Sequence, residues 1–348
     1  MIERIIVLGG KGGVGKSTIS AATAVMLSEK LPDKNILLIS FDLAHNLSDL
    51  FAKEIGDNLT PLTNNLWGIE PDPDIFAEEY TKEFAKKMRR LMKKMPIVGL
   101  IPQIKNFIDT TFTANSIPLA LKNAMFFQKI LDAEDTTYRG DNVENNIEFD
   151  IIVADFPPTG NMVTLFDIPE DQVKVVLKYS LNFYNSIKHA LKGFSSMIRK
   201  VLHPFDYDAN KSELGEELYK MLQDLEKRGE RISELIHKVG SLRLVSIAEK
   251  PSFEEIKRAR DLTKKYIKLD AVHINMVTPD SHNCDFCLKS RSIQLKYIEE
   301  IKKEFKDTKI WQSNKLKNEP IGLDGLKALA REVYGDKISA KNILYPKV

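Results

Sequence analysis

The residues best equipped for chemistry stand near the start of the chain. Gly10-Lys11-Gly12-Gly13-Val14-Gly15-Lys16-Ser17 fits the pattern Gly-x-x-x-x-Gly-Lys-Ser/Thr without a mismatch. Glycines let the backbone fold round a phosphate with several N–H groups pointing inward, at a helix N-terminus whose dipole favours negative charge. Lys16 is expected to reach the β- and γ-phosphates of ATP and Ser17 to ligate Mg²⁺, with Gly12, Gly13, Val14, Gly15 and Thr18 completing the nucleotide contacts. Asp42 and Asp155 each follow an apolar run and are candidates to meet the γ-phosphate; a plain helix cap is the alternative for both.

A second constellation is Cys284-Asp285-Phe286-Cys287, the chain's two cysteines. Two thiolates are half of a closed zinc shell, which takes four ligands. A twofold dimer sharing one Zn²⁺, a redox dithiol at a helix start, and two loop cysteines without special role all fit this spacing. His282 would still leave a monomeric shell open. His45, His189, His203, His237 and His273 have no spacing suggestive of a metal site or a nucleophile–base pair, and structural roles are expected, with His45 set apart by its place just after Asp42.

The elements that must position these groups are legible in the apolar runs. Ile5-Ile6-Val7-Leu8 ends in Gly9-Gly10, Asn35–Ser40 stops at Asp42, and Asp150–Ala154 stops at Asp155, as strands buried on both faces of a parallel sheet should. Leu242–Ile247, Leu269–Ile274 and Lys309–Trp311 read as further strands separated by helical stretches. The alternation predicts an α/β fold, a doubly wound, mostly parallel sheet, built from residues 1–73, 141–170 and 241–335. Residues 74–140 and 171–240 read as helical and form an inserted subdomain, with 336–348 as a tail. Phe84, Met88, Met92 and Met95 share one helix face, and Tyr184, Ile187, Leu191, Phe194, Ile198 and Val201 another. Such stripes are either the subdomain's own core or an exposed groove for apolar clients, a use to which methionine is suited.

Composition narrows the function classes. With 43% hydrophobic and 29% charged residues in 348, the chain is an ordinary globular protein with a substantial core. Its formal charge of +2 gives no global reason to bind nucleic acid or an anionic membrane. No run approaches the ~20 apolar residues of a spanning helix, and Met1-Ile2-Glu3-Arg4 leads straight into a strand, so a cytoplasmic protein is expected.

Lys11 carries the reading further. A second lysine at the loop's start resembles the deviant Walker A motif, whose extra lysine reaches across a nucleotide-sandwich dimer to the other subunit's phosphates. Phe41-Asp42-Leu43-Ala44-His45-Asn46-Leu47-Ser48-Asp49 resembles switch I of the arsenical-pump and tail-anchored-protein-targeting ATPases, and Asp155-Phe156-Pro157-Pro158-Thr159-Gly160-Asn161 is similar to their switch II. Glu249-Lys250-Pro251-Ser252-Phe253-Glu254-Glu255 looks like the family's Glu-x-x-Ser-x-x-Glu segment, Asn275 matches its adenine-reading asparagine, and Ser313–Gly325, with Glu319 and Gly322, its loop under the adenine. The resemblance implies that Asp42 orients the attacking water, Lys11 stabilises transition-state charge in trans, Asp155 holds the Mg²⁺ shell, Glu249 lies near nucleotide at a dimer interface, and Cys284 and Cys287 share Zn²⁺ with a second copy.

The implied activity is that of a homodimeric ATPase that shields an apolar tail-anchored segment for membrane delivery, with a membrane receptor as a further partner. ATP closes the dimer so that two helical subdomains form one groove, and hydrolysis opens it. Departures are Leu43 for the switch I proline, Asn161 for the switch II histidine, Thr164 for an arginine, and Thr113-Ala114-Asn115-Ser116-Ile117-Pro118 where many relatives carry a Gly-x-Asp-Glu client signature. The alternatives are a redox-regulated or ATP-independent holdase, an arsenite-pump-like ATPase, which the lack of a duplicated half disfavours, and a DNA-positioning ATPase, which the near-neutral charge disfavours.

Overall fold

A computed structural model describes residues 2–42, 46–71, 86, 129–134, 147–160, 162, 227–280 and 284–348. The backbone separates into two compact units, one of Met1–Pro73, Lys129–Phe166 and Ser233–Val348, the other of Asp74–Gln128 and Asp167–Ile232. Every element named below belongs to the first. The apolar stripes expected at Phe84–Met95 and Tyr184–Val201, the Thr113–Pro118 segment, and His45, Asn161, Thr164 and His282 lie outside the described residues.

The first unit is built on one eight-stranded sheet in the order β3-β4-β2-β5-β1-β6-β7-β8. Its strands are β1 (Arg4–Gly10), β2 (Ile36–Ser40), β3 (Thr60–Pro61), β4 (Leu66–Ile69), β5 (Ile151–Asp155), β6 (Gly240–Ile247), β7 (Leu269–Val277) and β8 (Lys309–Asn314). All neighbours pair in parallel except β3 with β4. The mostly parallel α/β expectation holds, with two strands that the apolar pattern did not show: β3 has two residues and β4 four, too short for a periodicity to register. Flanking helices are α1 (Lys16–Lys30), α2 (Asn46–Phe51), α3 (Lys250–Thr263), α4 (Asp285–Glu304), α5 (Gly322–Tyr334) and α6 (Ala340–Leu344).

β1 is buried along its whole length, and Ile5, Ile6, Val7 and Leu8 have no exposed surface, so it packs against helices on both faces. On one face α1, α5 and α6 cover a continuous core that includes Leu8, Val25, Leu38, Val245, Trp311, Leu329, Tyr334 and Ile343. α1 is buried nearly all round, and Ser20 and Thr23 are accommodated by donating back to the carbonyls of Lys16 at 2.9 Å and Ile19 at 2.6 Å. The segment expected as a tail is part of this layer: Ile343 is fully buried and Leu344 nearly so. Arg4 Nε donates to Leu344 O at 3.0 Å, and Arg243, buried in β6, donates to Ile343 O. Among the described residues no helix is long and apolar enough to cross a membrane.

Candidate phosphate-binding site

Three adjacent strands, β2, β5 and β1, end side by side, and the register shows why their terminal residues meet. Ser40 lies opposite Asp155, and Asp155 lies opposite Leu8, two residues before the loop begins. Backbone bonds continue the alignment past the strand ends, Phe41 N to Asp155 O at 2.8 Å and Phe156 N to Leu8 O at 3.0 Å. Ligands of open α/β sheets bind outside such carboxyl ends.

The loop's glycines answer specific geometric needs. Gly15 has a φ of 85°, and a Cβ there would run into the Asn275 amide. Gly10 has a φ of 150° and a Cβ would strike the Val245 carbonyl of the neighbouring strand. α1 begins at Gly15 with no side-chain cap and no acidic residue in its first turn, so its leading N–H groups are directed into the loop, the arrangement that suits a phosphate.

Lys16, Ser17, Asp42 and Asp155 converge here. Lys16 is buried; its Nζ lies 3.4 Å from Lys11 O and 3.7 Å from Asp42 Oδ2. Asp155 has no exposed surface, and its oxygens face the hydroxyls of Ser17, of Ser20 at 3.3 Å and of Ser40 at 3.5 Å. Burial pushes its pKa up to about 7, against the pull of the Ser17 hydrogen bond and the Lys16 charge. Lys11, Gly12 and Gly13 are exposed, Val14 is buried, and Gly15 and Thr18 are half-buried. Among the described residues the Lys11 ammonium has no hydrogen bond or ion pair.

Asn275 closes the far side of the loop: its Nδ2 donates to Val14 O at 3.0 Å and its Oδ1 accepts from Ser313 at 2.8 Å. A carboxamide has two donors and two acceptor sites, so one of each remains for a base. The next residue, Met276, holds a left-handed φ of 56°, unusual for a long side chain. Glu249 is exposed at the start of α3.

The plain-cap alternative for Asp42 has a physical answer. Two N–H groups in the first turn of α2, of Leu47 and Ser48, are held by Glu70 at 3.0 and 3.3 Å, and Asp42 faces Lys16. Glu70, Ser20 and Ser40 were not singled out by sequence reasoning, and Ser313 was marked only as the start of the Ser313–Gly325 segment. A position at the carboxyl end of a strand for Ser40, and just past one for Glu70, was the available signal; nothing in residue spacing marks the other two.

The donor set suits a hard divalent cation, with the Ser17 hydroxyl and the Asp155 carboxylate in contact behind it. At the second constellation, Cys284 caps α4 through a 3.3 Å bond from Cys287 N to its Sγ. The Cys284 thiol is thereby shifted down, chiefly by its contact with Cys287, and Cys287 is shifted up. Both are half-buried, and Phe286 between them is 80% exposed. Among the described residues no three His, Cys, Asp or Glu side chains gather at a metal site, and Cys284 and Cys287 are two ligands of a kind zinc takes.

Comparison with known proteins bears on what this geometry serves. The family model described as anion-transporting ATPase matches residues 3–335. A protein of Aquifex aeolicus named for driving an arsenical pump is 29% identical over 94% of this chain and 98% of its own length. ATPase GET3 of Meyerozyma guilliermondii is 25% identical over 94% of this chain and 88% of its own, and ATPase get3 of Schizosaccharomyces pombe is 26% identical over 93% and 89%.

Proposed function

The chain belongs to the anion-transporting ATPase family and is an ATPase, and on that premise we propose that it works as a cytoplasmic, homodimeric targeting factor that uses ATP to shield a tail-anchored membrane segment. The observation that carries this reading is Lys11. It stands exposed at the mouth of a loop whose other lysine is buried, and it has no partner among the described residues. A lysine so placed serves hydrolysis once a second copy brings phosphates to it, which ties turnover to dimer closure.

The roles follow from placement. Lys16 and the loop N–H groups hold the β- and γ-phosphates. Asp42, beside Lys16 and open on its outer side, accepts a hydrogen bond from water and orients it for attack in line with the γ-phosphate. Asp155 and Ser17 hold Mg²⁺, which when bound offsets charge on the phosphates. Asn275 reads the base, with Ser313 fixing its amide, and Glu249 lies near nucleotide across the dimer. Cys284 and Cys287 complete a shared Zn²⁺ site with the same pair of the second copy. Residues 74–140 and 171–240 form the client-binding subdomain, and a membrane receptor accepts the client; nucleic acid is not a partner. Closed and open dimers differ in contacts made only while the γ-phosphate is present, so hydrolysis releases the client.

Capture of a tail-anchored transmembrane segment, co-expressed with the chain and purified with and without ATP, tests this. A soluble complex of fixed stoichiometry is expected, with one zinc per two chains. Failure of capture with intact ATPase activity removes the targeting reading. The names of several relatives favour a second reading, an ATPase driving an arsenical pump; turnover stimulated by arsenite, with no capture of the segment, would establish that one instead.

A further inference from the structure

We propose that Glu70 is a positioning residue for ATP hydrolysis, clamping the downstream end of the loop that carries Asp42. Glu70 immediately follows β4 and is 2% exposed. Among the described residues it has no cationic partner; its carboxylate is held by the first turn of α2. Oε1 accepts from Leu47 N at 3.0 Å, and Oε2 lies 3.3 Å from both Ser48 N and Ser48 Oγ. A carboxylate at the positive end of a helix, accepting two backbone N–H bonds, is a stable way to hold buried charge, and losing it leaves those donors unpaired.

What makes this more than a helix cap is the closure it achieves. β2 and β4 are paired neighbours, with Ile39 opposite Ile69, so Ser40 and Glu70 leave the sheet side by side. The chain runs from Ser40 through Asp42 into α2, and Glu70 returns that excursion to the strand beside the one it left. Its upstream end is held by Phe41 N to Asp155 O at 2.8 Å and by Asp42 N to Ser40 Oγ at 3.4 Å. Its downstream end is held by Glu70, and Ser48 is held further by Ile55, whose N donates to Ser48 Oγ at 3.0 Å. Glu70 itself is fixed through its N–H, which donates to Gly56 O at 2.9 Å. Asp42 thus follows a fixed strand end and stands four residues in sequence before a helix whose first turn is fixed to the neighbouring strand. Orienting a water demands that restraint, because displacement of a catalytic group by about 1 Å costs about 100-fold in rate.

The inference rests on the reading of Asp42 as the water-orienting group, and the two fail separately. Glu70→Ala should lower kcat for ATP by about 10- to 100-fold, with KM for ATP changed less than about twofold, because the phosphate loop is untouched. Glu70→Gln keeps one acceptor oxygen and should recover part of the loss. In an Asp42→Asn background, Glu70→Gln should have no further effect on single-turnover rate. Wild-type kcat in a folded Glu70→Ala or Glu70→Gln chain would overturn the proposal, as would equal losses in the presence and absence of Asp42. Should Glu70→Ala not fold, the Glu70→Gln cycle alone decides. Normal turnover of Asp42→Asn by itself would instead remove the role of Asp42.

Discussion

Two fully buried charges, Asp155 and Arg243, occupy one row of the sheet on either side of Leu8, on the face covered by α1. Parallel neighbours are about 4.8 Å apart, so the two lie roughly 10 Å from one another. Asp155 is surrounded by hydroxyls and by Lys16, and burial, only partly offset by them, pushes its pKa up to about 7. Arg243 takes its partners from the chain itself, Ile343 O at the end of α6, the Tyr334 hydroxyl at 3.5 Å and the Trp311 ring 5.4 Å away, although its Nε is unbonded among the described residues and burial lowers its pKa too. Tyr334 in turn meets Thr23 of α1 at 2.7 Å. One helix therefore packs its first turns on a site left open to a ligand and its middle on a polar cluster closed by the chain's own end. The lesson is that burial alone does not mark function; what marks it is whether the partners of a buried charge are already in place.

Variants on the two sides should accordingly move different quantities. The largest effect is expected from Lys11→Ala, which should lower ATP turnover by about 10³-fold in a phosphate-release assay; unchanged turnover would remove the lysine acting in trans. Asp42→Asn should follow at about 10²-fold with ATP affinity retained, measured by turnover alongside nucleotide titration. On the Arg243 side, ending the chain at residue 335 leaves two buried guanidiniums short of their carbonyl acceptors. Urea denaturation should show a loss of about 3 kcal/mol, part of it recovered when Arg243→Met removes one of the two buried charges first. If truncation instead abolished turnover without changing stability, the separation of the two sides would be wrong.

The smallest effect concerns His273, buried beside Trp311 with neither ring nitrogen bonded among the described residues. Burial first and the Arg243 charge second hold its pKa well below 6.5. The unfolded chain gains a proton below that pH which the native chain refuses, so stability present above about pH 6.5 is lost as the pH falls, by at most about 1.4 kcal/mol per pH unit. His273→Phe should flatten this acid limb in melts recorded between pH 5 and about pH 8; an unaltered pH slope would place the proton elsewhere.

The same contrast explains what could be read in advance. Gly10–Ser17, Asp42 and Asp155 were legible because phosphate binding needs particular residue types at particular spacings, and because a buried parallel strand advertises its own end. Glu70 was not, since its partners lie 22 and 23 residues away and meet it only through the pairing of β2 with β4. Arg243 gave a faint sign, a charge within an apolar strand, and no indication that residues 340–344 would answer it.

By itself, then, the sequence determined the nucleotide loop, the alternation of strands and helices and the family, all of which depend on local spacing. Tertiary structure alone decided that Asp155 and Arg243 share a row, that Glu70 holds the first turn of α2 and that residues 340–344 join the core. Those are contacts between distant segments, whose partners follow from strand order and register rather than from any local pattern.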